Sequence, residues 1–315
     1  MSEPRQFPAP QAYRRAARAL KRWLKACVIC PRGCRIDRLQ DERGFCGAGF
    51  KALVNTAQLH HGEEPPISGS HGSGTVFFSG CTLACRFCQN YQISQEGYGE
   101  EVSAEDLAAI FLRLQLNGAH NLNLVTPTPH LVCILEALAI ARENGCVLPV
   151  VYNTSGYERA ATIHKLDGLV EVYLPDYKYF DNQVAARLSD APNYVEHCRA
   201  ALTEMHRQVG ALQLDDNGVA ARGVLVRHLV LPHNLSGTDQ VLPDLVRIGG
   251  PEVWVGLMSQ YYPMYQACDT PGLERRLTSA EYRAANEALE QAGIQNGFVQ
   301  GLASSNGDYL PGFKL

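Results

Sequence analysis

The chain has 315 residues, 46% hydrophobic and 19% charged, which supplies a large core and fits a soluble globular protein rather than a disordered one. Its formal charge of −4 argues against a general nucleic-acid binder, whose surface would be basic. No apolar run approaches the roughly 18 residues of a transmembrane helix and the N-terminus lacks an apolar signal core, so no membrane role is expected and the location reads as cytoplasmic.

Pro4, Pro8 and Pro10 mark residues 1–12 as an irregular leader. From Tyr13 to Lys25 the pattern is helical. Tyr13, Ala17, Leu20 and Leu24 share a face, and Arg14, Arg15, Arg18, Lys21, Arg22 and Lys25 cover the rest. Packing of this helix on the domain with its charges solvated is favoured over an acidic partner or a membrane surface. Leader and helix together take up residues 1–26.

Residues 27–49 form a cysteine-rich unit, Cys27-x2-Cys30-Pro31-x2-Cys34 followed by Cys46 in Gly44-Phe45-Cys46-Gly47. Of the eleven cysteines seven lie within Cys27–Cys88, and in a long intracellular chain such grouping reads as metal binding rather than disulfides. Four thiolates with tight turns between them satisfy a tetrahedral site. Structural Zn2+ is favoured, with a second iron–sulfur cluster relaying electrons as the rival. Cys133, Cys146, Cys198 and Cys268 are scattered and read as small buried hydrophobes.

Residues 50–73 read as a linker. Its stretch from His60-His61-Gly62-Glu63-Glu64 to Pro65-Pro66-Ile67-Ser68-Gly69 is rich in turn residues, and a solvated or substrate-covering loop is favoured over metal binding. The β-prone run Thr75-Val76-Phe77-Phe78 then feeds a loop, Ser79–Asn90, in which Cys81, Cys85 and Cys88 are spaced C-x3-C-x2-C. Three thiolates are one short of the set a four-iron cluster normally takes, and an open iron can chelate the amino and carboxylate groups of a bound amino acid derivative. The alternative is a zinc knuckle or free thiols, weakened because no fourth ligand of similar spacing follows.

Beyond the loop, Ser103-x2-Asp106 caps a helix whose Leu107, Ile110, Phe111 and Leu114 share a face. Strands are predicted at 122–126, 148–153, 169–174, 224–230 and 252–258, with helices near 130–144, 157–167, 180–188, 192–209 and 238–248. Thr278-x2-Glu281 caps a final helix. Such alternation means parallel βα units in a barrel or open sheet, and the cysteine loop stands at the carboxyl end of the first strand, where such folds build their sites. The barrel is expected over 74–302, with a C-terminal tail at 303–315.

The cysteine spacing, with Phe87 just before the third cysteine, resembles the radical S-adenosylmethionine (SAM) signature. From about Gly74 to Gln260 the chain is most similar to the activating enzymes of pyruvate formate-lyase and their uncharacterised relatives. The resemblance implies an α/β fold, a partial (β/α)6 barrel, with a [4Fe-4S] cluster on Cys81, Cys85 and Cys88. There SAM is reductively cleaved to a 5′-deoxyadenosyl radical that abstracts hydrogen from substrate. Where the family carries a Gly-Gly-Glu loop for the SAM amino group, this chain has Val125-Thr126-Pro127-Thr128-Pro129, so Thr126 and Thr128 stand in for a missing carboxylate. Asn153 and Ser155 occupy the place of an Asp-Thr-Asn-Gly motif and are expected at the ribose. Asp176 and Lys178 match an Asp-x-Lys motif, and Arg227 matches a fifth-strand arginine. Lys178 and Arg227 are expected at the SAM carboxylate, and Phe87 joins the cofactor-binding set. The sixth strand ends in Ser259-Gln260-Tyr261-Tyr262-Pro263 where the family has Pro-Tyr-His.

Three functions stand open. An activase would take a glycine α-hydrogen from a protein substrate and need an external one-electron donor of the flavodoxin or ferredoxin type. A second kind of radical SAM enzyme would act on a small molecule or peptide. A metal or redox module without turnover is the third, disfavoured by the Asp176, Lys178 and Arg227 set.

Overall fold

The computed structural model describes residues 7–304 and Phe313. Residues 1–6 of the expected leader, and 305–312, 314 and 315 of the expected tail, lie outside the described residues.

The six expected barrel strands form and lie side by side in parallel: β2 (Ser73–Phe78), β4 (Leu122–Val125), β5 (Val150–Thr154), β6 (Val172–Pro175), β8 (Ala220–Leu229) and β9 (Trp254–Met258). A further parallel strand, β10 (Asn296–Val299), extends the sheet beyond β9. Part of the expected linker is also a strand: β1 (Ala52–His60) runs antiparallel to β2 and carries the short β3 (Glu100–Val102) on its outer side. With β7 (Gln213–Leu214) beside β8, the sheet has ten strands in the order β10-β9-β8-β6-β5-β4-β2-β1-β3. Its ends, β10 and β3, are not neighbours, so the barrel is partial.

Two faces follow from the two-residue repeat of a strand. Val76, Phe78, Leu124, Tyr152, Tyr173 and Val226 point outward into the main core beneath the helices. These helices are α4 (Ala104–Leu116), α5 (Leu131–Glu143), α6 (Ala160–His164), α7 (Asn182–Ser189), α8 (Tyr194–Val209), α9 (Thr238–Gly249) and α10 (Ser279–Gln291). Both expected capping boxes are present, Ser103 with Asp106 on α4 and Thr278 with Glu281 on α10. The expected 157–167 helix is only Ala160–His164. The amphipathic helix α1 (Pro10–Leu24) buries Tyr13, Ala17, Leu20 and Leu24 against α5, and its charges stay at the rim, where Arg14 pairs with Glu143. Cys133, Cys146 and Cys198 are buried as expected, whereas Cys268 is exposed in the 3-10 turn Ala267–Asp269.

Inward-facing Val151, Val172, Leu174 and Leu225 form a second cluster, closed by Ile67. Ile67 belongs to α2 (Pro65–Ser68), a single turn with two prolines at its start. Because β1 ends opposite the beginning of β2, with His60 paired to Ser73, the segment between them crosses the amino-terminal mouth of the barrel. Glu64 is extended, as a residue before proline must be, and the chain turns inward there. The stretch expected to lie in solvent or cover a substrate is a strap that plugs the barrel from below.

Candidate active site

Above the plug lies a cavity of about 580 Å³. At its carboxyl mouth the cysteine loop is held by backbone bonds from Ala84 to the Ser189 carbonyl and from Arg86 to the Leu188 carbonyl, which seat it on the end of α7. His130 supports the loop from behind through a 2.7 Å hydrogen bond to the Ser79 carbonyl.

Cys81, Cys85 and Cys88 all face this cavity. Each sulfur has a donor or partner: the Leu83 amide at 3.4 Å from Cys81, the Ser189 hydroxyl at 3.0 Å from Cys85, and the Ser94 hydroxyl at 3.1 Å from Cys88. Burial pushes all three thiols up, Cys85 to about 11. Such thiols ionise only where a metal takes the place of the proton, so three of them converging with hydrogen-bonded sulfurs suit an iron–sulfur cluster.

The strand ends supply the charges around the cysteines. Lys178 donates to Asp176 at 2.5 Å. Burial lowers the lysine pKa, but Asp176 and the neighbouring Cys85 outweigh it and hold the ammonium above its ordinary value. Asn153, Ser155 and Thr126 line the same cavity, Thr126 with a left-handed backbone (φ 59°). Thr126, Asn153, Ser155, Asp176, Lys178 and Arg227 are therefore brought together with the cysteines.

Two expected members are elsewhere. The Thr128 hydroxyl is spent on Tyr152 and the buried Glu158, and it faces the N-terminal cysteines rather than the cavity. The tight turn after β4, with Pro127 and Pro129 on either side of Thr128, swings it away. Phe87 is buried in the core with its ring edge-on to Tyr261 and is not among the residues that line the cavity.

Arg227 is also differently engaged. Its guanidinium is already held by the strap: Glu64 takes it in a bidentate pair at 2.8 Å on both arms, and Glu63 bonds it as well. Glu63 accepts a further bond from Asn123 on β4 at 2.8 Å. Burial pushes the Glu64 carboxyl up to about 7 and the Arg227 guanidinium down to about 10. A Cβ at Gly256 would stand 3.0 Å from the Glu64 carboxylate, so the glycine on β9 makes room for it. The strap thus brings two carboxylates into the cavity from below. Glu63, Glu64 and Asn123 were missed as site residues. The clue in the sequence is an acidic pair locked extended by two following prolines.

Three carboxylates (Glu63, Glu64, Asp176) face two cations (Lys178, Arg227), which suits a ligand whose ammonium and sulfonium outnumber its carboxylate. A partial parallel barrel with three convergent thiols and this charged cavity at its carboxyl mouth defines an iron–sulfur, SAM-binding class of enzyme fold. The profile of the Radical SAM superfamily matches residues 75–205. An uncharacterised protein of Methanocaldococcus jannaschii, MJ0674, is 33% identical over 280 residues, 86% of this chain and 76% of that one. The chain belongs to the radical SAM superfamily, whose cofactors are a [4Fe-4S] cluster and SAM.

Among solved structures, Streptococcus suis SuiB bound to SAM aligns with 72% of this chain and 50% of its own, at TM-score 0.49 and 14% identity. This chain thus spans about half of SuiB. A domain of the pyruvate-formate lyase-activating enzyme from Bacteroides vulgatus aligns with 63% of this chain and 91% of its own, at TM-score 0.35 and 14% identity. Among the described residues, no helix is long and apolar enough to cross a membrane.

Proposed function

We propose that this protein cleaves SAM reductively in the barrel cavity and uses the resulting 5′-deoxyadenosyl radical to take hydrogen from a substrate held above the strap. The observation that carries this reading is that Cys81, Cys85 and Cys88 share one cavity with Lys178, Asp176 and Arg227. A [4Fe-4S] cluster on the three cysteines would supply the electron, received from an external flavodoxin- or ferredoxin-type donor. Lys178 then serves the SAM carboxylate, Asn153 and Ser155 the ribose, and the acidic side chains the SAM ammonium. Arg227 holds Glu63 and Glu64 in place rather than meeting SAM directly.

In the alternative reading the guest is a small molecule or peptide held within the cavity itself. In the activase reading, a glycine loop of a protein substrate enters from the carboxyl mouth. The test is anoxic reconstitution with iron and sulfide, addition of dithionite and SAM, and chromatography for 5′-deoxyadenosine. Product is expected from the native chain and not from Cys81→Ala. No product from protein with a full iron complement would sink the reading.

A further inference from the structure

The N-terminal cysteine unit is a second metal site, and its dimensions speak to which metal it takes. Cys27, Cys30, Cys34 and Cys46 all border one small internal cavity. Among the described residues no three cysteine sulfurs lie within 4.8 Å of one another. In a zinc tetrahedron, bonds of about 2.3 Å bring every pair of sulfurs to about 3.8 Å. Four sulfurs on the corners of a cluster, each bonded to its own iron, stand farther apart than that.

The charges and donors around the unit agree. Arg38 is 2% exposed, yet its hydrogen bonds go only to the Gly49 and Pro129 carbonyls and, at 4.0 Å, to the Cys27 sulfur. A buried guanidinium without a carboxylate needs an anion, and the cysteine site is the one beside it. Arg32 borders the same cavity with a buried Nη2 that has no partner. Backbone N–H groups two residues on reach the sulfurs of Cys30 and Cys46, the arrangement that Leu83 and Asn90 make at Cys81 and Cys88.

The two cysteine sets are also packed on each other. Arg32 donates to the Thr82 carbonyl at 2.8 Å. A Cβ on Gly80, whose φ is +81°, would stand 2.2 Å from the Cys46 carbonyl. Only a glycine lets the backbone beside Cys81 rest on the backbone at Cys46.

We propose that Cys27, Cys30, Cys34 and Cys46 hold a second [4Fe-4S] cluster, directly adjoining the first. Its existence does not depend on the proposed reaction. The test uses the full chain, purified without oxygen and reconstituted with iron and sulfide. The native chain should hold about eight irons and no stoichiometric zinc. A triple variant, Cys81→Ala, Cys85→Ala and Cys88→Ala, leaves the N-terminal unit untouched and should keep about four irons. With dithionite it should give the paramagnetic signal of a reduced cluster, narrower than in the native chain because its neighbour is gone. One zinc per chain, or a folded triple variant without iron, overturns the proposal. Eight irons without SAM cleavage would sink the proposed reaction and leave this site standing.

Discussion

At Lys178 two opposing effects meet, since burial works against the ammonium while Asp176 and the cysteines beside it hold the charge in place. We propose that this ammonium also meets the carboxylate of SAM. Lys178→Ala is expected to weaken SAM binding by about 2–5 kcal/mol, tens- to thousands-fold in Kd, with iron content unchanged. Anoxic calorimetry checks it, and an unaltered Kd would remove Lys178 from the site. Arg227 calls for a different experiment. Arg227→Ala strands two buried carboxylates and is expected to cost about 3–5 kcal/mol of stability. Adding Glu63→Gln and Glu64→Gln to an Arg227→Met background should restore most of that loss in a denaturant titration. No recovery would mean that the strap does not depend on this pairing. The two residues also differ in how they could be read from sequence. Lys178 and Asp176 are two apart at one strand end, so their partnership was visible, whereas Arg227 meets Glu64 from 163 positions away, and no local pattern carries such a contact.

Among the elements, the six parallel strands were legible because buried strands read as near-continuous apolar runs such as Val253–Met258, bounded by turns. The strap and its strand were not. β1 mixes Asn55, Thr56 and Gln58 into its sequence because one of its faces is only half buried, and it reads as a linker until it pairs with β2. β10 escaped notice for being four residues long, with Gly297 inside it. α2 is too short for any periodic signal, and its importance rests on Ile67, fully buried under the barrel floor. Ile67→Ala is expected to destabilise the protein by about 2–5 kcal/mol through the cavity it opens. The floor would loosen with it, so hydrogen exchange at residues 61–69 should quicken more than at α4. Equal quickening at both would show that the strap has no stability of its own to lose.

Over the whole molecule, acid response separates groups that burial drives in opposite directions. His228 is fully buried, bonded to the Tyr177 carbonyl at 2.6 Å and the Thr238 hydroxyl at 2.9 Å, and burial pushes it down to about 4. The unfolded chain, at about 6.5, takes up a proton that the folded chain refuses. This contribution is complete above about pH 6.5 and is lost as the pH falls toward 4. Glu158, pushed up to about 7 by burial, acts with the opposite sign, so the net slope mixes the two. A comparison isolates the histidine. Relative to the native chain, His228→Gln should gain about 2 kcal/mol of stability on going from pH 7 to pH 5. Parallel denaturation curves at both pH values would refute the assignment.

The floor made by Glu63, Glu64 and Arg227 bears on what a hydrogen-abstracting radical meets if its substrate is absent. Carboxylate oxygens offer it no hydrogen, and guanidinium N–H bonds are far stronger than the C–H bonds of an aliphatic side chain. Where these three heads face the cavity, then, they present groups without weak C–H bonds. Replacing Glu64 with Leu would put abstractable hydrogens there. That variant should consume SAM without turning over any guest and damage its own backbone, which mass spectrometry would find at residues 60–67.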